Sequence, residues 1–193
     1  MTVSSLDPHT ALVVVDLQNG IVNRPQQSRT EDVPLIAEVV SRSKALADAF
    51  RERGLPVVLV NVAGAPSGRN ETPRRLPADV PAEYFALVDG LNTSEEDILV
   101  TKRSIGAFAT TDLDAILRDR GVTQLVLTGI ATSIGVESTA RNAYDLGYNV
   151  AFAVDAMTDL NDGAHAHAVS AVFPRIGESG TTEEILALLA GRE

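Results

Sequence analysis

The sequence predicts an α/β protein: a three-layer, doubly wound (Rossmann-like) parallel sheet of about six strands, order 3-2-1-4-5-6, with helices on both faces. Three observations carry this. Short runs rich in β-branched residues alternate with stretches of helical periodicity, the pattern of a sheet wrapped by helices. The first run, Ala-Leu-Val-Val-Val at 11–15, is apolar on both faces, as a central parallel strand buried on both sides must be. The helical stretches stop at Gly54, Gly121 and Gly147, the residue type that closes helices most readily.

Taken in order, strand one at 11–15 is followed by a helix over 35–53, with Ile36, Val39, Val40, Leu46, Ala47 and Phe50 at helical spacing. Strand two spans 56–62. A long irregular stretch rich in Pro, Gly, Asn and Arg covers 63–96; loops of that length in a compact domain serve as lids, binding loops or subunit contacts. Strand three is 98–101. A short helix over 111–120 starts at Thr110 or Thr111 as its cap. Strand four is 124–128, followed by a helix over 136–146; strand five is 149–154, followed by a helix over 163–172. Phe173-Pro-Arg-Ile176 is expected as a short edge strand, because Pro174 would break a central ladder. Thr181-Thr-Glu-Glu184 is a capping box that opens the last helix, 183–190. Repeats, low-complexity tracts and linkers are absent, so residues 1–193 are expected to form one domain.

Bulk properties narrow the function classes. Hydrophobic content of 45% with 22% charged residues is that of a globular protein. A net charge of −10 argues against nucleic acid or an anionic membrane surface as partner, since both require a basic face. The absence of cysteine excludes disulfide scaffolds, thiolate metal sites and thiol catalysis, and thiol-directed inhibitors are expected to have no effect. No run approaches the roughly 18 apolar residues of a membrane span, and the N-terminus lacks the basic flank and apolar run of a signal peptide. The expected location is cytoplasmic.

In open doubly wound sheets, ligands bind beyond the carboxyl ends of the strands, where strand order reverses. Strand one ends in Asp16, strand two near Asn61, and strand three runs into Lys102 and Arg103. Strand four delivers the loop 128–135, and strand five ends at Asp155. With strands one and four as neighbours, Asp16 faces the turn at Gly135 and Lys102 reaches the pair on its long stem. An acid, a cation and a set of loop amides are thus expected in one crevice, and a helix N-terminus there supplies N–H groups for an anionic or carbonyl oxygen.

The spacing of Val-Val-Asp16-Leu-Gln-Asn, Lys102-Arg-Ser-Ile-Gly-Ala-Phe108 and Gly129-Ile-Ala-Thr132-Ser-Ile-Gly135-Val-Glu-Ser-Thr-Ala140 resembles the isochorismatase-like hydrolase family, from about residue 10 to the end of the chain. The family includes nicotinamidases, N-carbamoylsarcosine amidases and isochorismatases. In its amidases an Asp, a Lys and a Cys form the catalytic set. The resemblance puts the Asp at Asp16, the Lys at Lys102 and the Cys position at Gly135. Glycine has no attacking atom, so an acyl-enzyme of the amidase kind is not open to this chain. Isochorismatases proper also carry Gly there, because vinyl-ether cleavage needs a proton donor and water; they typically have Ala-His where this chain has Thr132-Ser133.

The resemblance therefore implies a cysteine-independent hydrolase of a small, carboxylated metabolite, without cofactor. Asp16 is the expected general acid, assisted by Lys102. The amides of Ala131 and Gly135, with Ser133 and Gln18, are the expected substrate-binding or oxyanion groups. A homo-oligomer, dimer or tetramer, is the expected assembly. Two alternatives stand beside this: a non-catalytic small-molecule-binding protein, and an amidase using Ser133 or Ser138 as nucleophile. No base is recognisable beside Ser133, and Ser138 falls within the helix. His165 and His167 lie two apart on a helix, which points them to different sides and disfavours a shared metal. The nicotinamidase-type metal site needs histidines after Asp16, and none occurs there. Asp155 is expected to orient backbone at its strand end. One of Arg69, Arg74 and Arg75 could hold a substrate carboxylate. The resemblance also implies a cis peptide bond between Ile130 and Ala131.

Overall fold

The computed structural model describes residues 2–23, 33–71 and 79–191. Its centre is one parallel sheet of six strands in the order β3-β2-β1-β4-β5-β6. These are β1 (Thr10–Val15), β2 (Val57–Val62), β3 (Ile98–Lys102), β4 (Gln124–Ile130), β5 (Asn149–Thr158) and β6 (Glu178–Gly180). The helices are α1 (Asn19–Val22), α2 (Ile36–Arg51), α3 (Leu113–Asp119), α4 (Glu137–Asp145), α5 (Asp162–His167) and α6 (Thr182–Ala190).

Period-two alternation along β1 divides the core in two. Ala11, Val13 and Val15 join the cluster covered by Leu113 and Leu117 of α3, Ala140 and Ala143 of α4, and Phe173. Leu12 and Val14 join the cluster made by Val39, Leu46, Ala47 and Phe50 of α2 and Ile185 and Leu189 of α6. Every residue of β1 and β4 is buried, so the sheet's middle sees water on neither face, as its apolar runs require. Each fully buried Val or Leu side chain contributes about 1.5–3 kcal/mol of burial. The two strands that meet at the strand-order reversal are therefore held by apolar burial along their whole length.

Two local features depart from the expected elements. The expected edge strand at Phe173-Pro-Arg-Ile176 is instead a 3-10 turn, Phe173–Arg175, with Pro174 in its first turn. Pro174 has no N–H to give a ladder, and Phe173 stacks flat on Phe152 with ring centroids 3.8 Å apart. The edge strand comes just after it, as β6, which pairs with 151–153. The second departure is in β5, which runs to Thr158 rather than stopping at Val154. Its pairing with β4 slips between Leu127↔Phe152 and Gly129↔Met157. A bulge of this kind bends the strand and re-aims its side chains.

The bulge moves Asp155 off the strand end. Its Oδ1 accepts the N–H of Thr182 at 2.7 Å and the Thr182 hydroxyl at 2.9 Å, so it orients the first turn of α6 well inside β5. The capping box is present as read: Thr181 Oγ1 accepts from Glu184 N–H and Glu184 accepts from Thr181 N–H. No described helix is long and apolar enough to cross a membrane.

Candidate active site

Asp16 is the first residue after β1. Its N–H donates to Val60 O at 2.8 Å and its carbonyl accepts from Gln18 N–H at 2.9 Å. Its backbone is left-handed, φ 56°, a conformation that short polar Asp tolerates and β-branched residues do not. The chain thus leaves the sheet sharply at the carboxyl end of its central strand. Lys102, the last residue of β3, reaches across from two strands away. Its Nζ lies 2.7 Å from Asp16 Oδ2, with the two side chains 2% and 7% exposed, and it also donates to Ile105 O at 2.6 Å. A buried ammonium is sustainable only when its donors meet acceptors; here a carboxylate and a carbonyl supply them.

The third member arrives from β4. Gly129, φ 120°, lies so close to β1 that a Cβ would stand 2.0 Å from Val15 O; only glycine lets the strands leave the sheet side by side. The Ile130–Ala131 bond that follows is cis. The chain then winds through a π turn, Thr132–Val136, into α4, and the Ala131 carbonyl accepts from Ile134 N–H and Val136 N–H at 3.0 and 3.2 Å. Gly135 is buried in this turn. A Cβ on it would lie 3.0 Å from Asp16 Oδ2 and 3.1 Å from Val15 Cγ1. Asp16, Lys102 and Gly135 therefore meet at one point, at the carboxyl ends of β1, β3 and β4.

The remaining residues named from sequence divide. Ala131 begins the turn. Ser133 is committed: its N–H and its Oγ–H both donate to Asp159 Oδ2, each at 2.8 Å. No base beside Ser133 is recognisable in the sequence, and the structure places this acid there from beyond β5; Ser138 is half-buried within α4. Gln18 is fully buried and spends its amide on backbone, accepting Val62 N–H at 2.7 Å and donating to Val62 O and Tyr84 O. Its work is to tie the segment around Tyr84 to β2. His165 is 5% exposed and shares a 2.8 Å hydrogen bond with Thr132 Oγ1 through Nδ1, whereas His167 is exposed. Burial lowers the His165 pKa against the opposing pull of Asp159 and Asp162, which favours a neutral ring. Arg69 is exposed; Arg74 and Arg75 lie outside the described residues. Among the described residues, no group of three or more His, Asp or Glu side chains could hold a metal ion.

Asp159, Thr132 and the inward turn of His165 were not identified from sequence. The available signal was an acid directly after a strand and two residues before Asn161, whose side chain caps α5 by accepting from Ala164 N–H. Without the bulge in β5 in view, Asp155 occupied the strand-end position and concealed it.

Comparison with known proteins agrees with this fold. Residues 10–184 match the Isochorismatase domain. An isochorismatase family protein of Bacillus subtilis, YwoC, is 43% identical over 183 residues, covering 92% of each chain. The ureidoacrylate amidohydrolase RutB of Stutzerimonas stutzeri is 33% identical over 162 residues, covering 72% of this chain and 65% of that one. Among solved structures, an isochorismatase family protein from Burkholderia thailandensis superposes with a TM-score of 0.89 at 40% identity, covering 98% of this chain and 100% of the other. The chain belongs to the isochorismatase family of hydrolases.

Proposed function

We propose that this chain hydrolyses a small, carboxylated metabolite without a covalent intermediate, with Asp16 as general acid, Lys102 as its partner and the N–H groups of Ala131 and Gly135 holding a polar substrate atom. The observation that carries the reading is the buried Asp16–Lys102 pair at 2.7 Å with the bare Cα of Gly135 against it, in a chain with no cysteine. The pair can hold and deliver a proton, and Gly135, with no side chain, leaves the Asp16 carboxyl uncrowded where even a methyl would stand 3.0 Å from it. Vinyl-ether cleavage suits that equipment. A proton held by the Asp16–Lys102 pair goes by way of Asp16 to the vinyl carbon, water adds to the oxocarbenium carbon and returns a proton to the pair, and the resulting hemiketal or hemiacetal collapses to a carbonyl compound and an alcohol. Gln18 is left out of the binding set because its amide is already engaged.

The amidase alternative, with a serine as nucleophile, is disfavoured because Asp159 Oδ2 takes the Ser133 N–H together with its Oγ–H, tying the hydroxyl to its own backbone, and because Ser138 lies within α4. The remaining rival is a binding protein with no turnover. Incubation with a panel of small carboxylated enol ethers, ureido acids and carbamoyl acids, read by mass spectrometry, separates the two. Turnover that disappears in Asp16→Asn while the variant remains folded at the assay temperature supports the hydrolase; ligand-induced thermal shift with no product from any compound overturns it. A homo-oligomer completes the reading, supported by Leu99, 68% exposed on the edge strand β3. Light scattering tests that part.

A further inference from the structure

The turn that carries Gly135 is held from outside by the corner between β5 and α5. Asp159 follows β5 directly, is 4% exposed, and receives both donors of Ser133 on Oδ2. Its Oδ1 accepts the N–H of Asn161 at 3.1 Å, so a single carboxylate joins the start of the turn to the start of α5. One helical turn further on, His165 reaches back to Thr132, which is fully buried. Two consecutive residues of the turn are thus pinned by side chains of the same corner, and Gly135 lies two residues further along, against Asp16.

Burying a carboxylate is costly unless donors surround it, and three now do. Bonds from N–H and O–H to an ionised acceptor are roughly twice as strong as neutral ones. Apolar packing could have filled this corner without that desolvation. An acid instead takes the first amide of the turn after Thr132, which fixes a backbone position rather than merely a volume. The same contact engages both donors of Ser133.

We infer that Asp159 is the positioning residue of this site: it sets where Gly135 lies against Asp16, with the Thr132–His165 bond as a second tie. The inference rests on Asp16 being the reacting acid, but its test reads position and not turnover, so failure of one leaves the other standing. The test is amide NMR of the full chain, comparing wild type with Asp159→Asn and Asp159→Glu. In wild type, the Ser133 amide should exchange slowly with solvent. In Asp159→Asn that exchange should accelerate by about tenfold or more, as loss of a charge-assisted bond requires. The Gly135 and Asp16 amide signals should move or double with it. A purely local structural role would change Ser133 and leave Gly135 and Asp16 in place, and that outcome overturns the inference, as does unchanged Ser133 exchange. Should Asp159→Asn fail to fold, Asp159→Glu keeps the charge but shifts the carboxylate that holds the Ser133 amide and carries the same readout: displaced Gly135 and Asp16 signals support the inference, and unmoved ones overturn it.

Discussion

Lys102→Met is the substitution that weighs the central pair. The side chains of Lys102 and Asp16 are 2% and 7% exposed and 2.7 Å apart, so solvent screens little of their attraction. Methionine keeps the length and unbranched shape of the lysine stem, so little packing is lost. What changes is charge: the Asp16 carboxylate stays buried without its cation, and Ile105 O loses its ammonium donor. Removing one member of a buried pair costs about 3–5 kcal/mol. In a chain of 193 residues, each kcal/mol lowers Tm by about 2–4 °C, so the variant should melt about 6–20 °C below wild type. In the double variant Asp16→Asn/Lys102→Met the orphaned charge is gone, and its loss should fall short of the summed single losses by about 1 kcal/mol or more. Asparagine is chosen because position 16 sits at φ 56°, which Asn accepts. Calorimetry at about 0.15 M and about 1 M salt decides the matter, because a buried pair keeps its effect at both. A Tm change below about 3 °C, strict additivity in the double variant, or a loss that vanishes in high salt would refute the reasoning.

Gly135→Ala puts a methyl 3.0 Å from Asp16 Oδ2; overpacking of about 1 kcal/mol should lower Tm by about 2–4 °C, and an unchanged Tm with Asp16 undisplaced in a crystal structure would count against the close contact. Gly129→Ala drives a Cβ to 2.0 Å from Val15 O at φ 120°, so losses beyond about 3 kcal/mol are expected, seen as insoluble or early-melting protein; wild-type behaviour in a thermal melt would contradict the strand approach. For His165, whose pKa burial lowers, the unfolded chain binds the proton first as pH falls past the ordinary histidine value of 6.5. Its contribution to stability is therefore complete above that value and declines below it, by up to about 1.4 kcal/mol per pH unit. Denaturant titrations of wild type and His165→Gln between about pH 7 and pH 5 should show that slope in wild type alone, and equal slopes would disprove it.

The parts of the fold legible in the sequence are those governed by local pattern. The alternation of Leu12 and Val14 against Ala11, Val13 and Val15 reads as a strand buried on two faces and becomes the divider of two cores. Asp16 and Lys102 were legible because both stand at strand ends, and strand ends in this topology converge. The hidden parts depend on register between strands. Nothing local in 149–158 announces the slip between β4 and β5, and that slip decides that Asp159, not Asp155, meets the turn that carries Gly135. Pro174 spoke against a central strand, but the choice between an edge strand and a turn was made by Phe152, 21 positions earlier, offering its ring to Phe173.

The ammonium of Lys102 imposes a rule on any guest. It carries three N–H bonds and no lone pair, and within the protein it points at Asp16 and at Ile105 O. A molecule entering beside Gly135 can offer this nitrogen an oxygen; an amine or a hydroxyl hydrogen directed at it meets only another donor. In a site this dry, such a mismatch costs on the order of 1–3 kcal/mol, a factor of about 5 to 150 in affinity. On the proposed function, ligands would therefore be sorted by the polarity of a single contact, and two molecules of the same shape would be told apart by which atom bears the hydrogen.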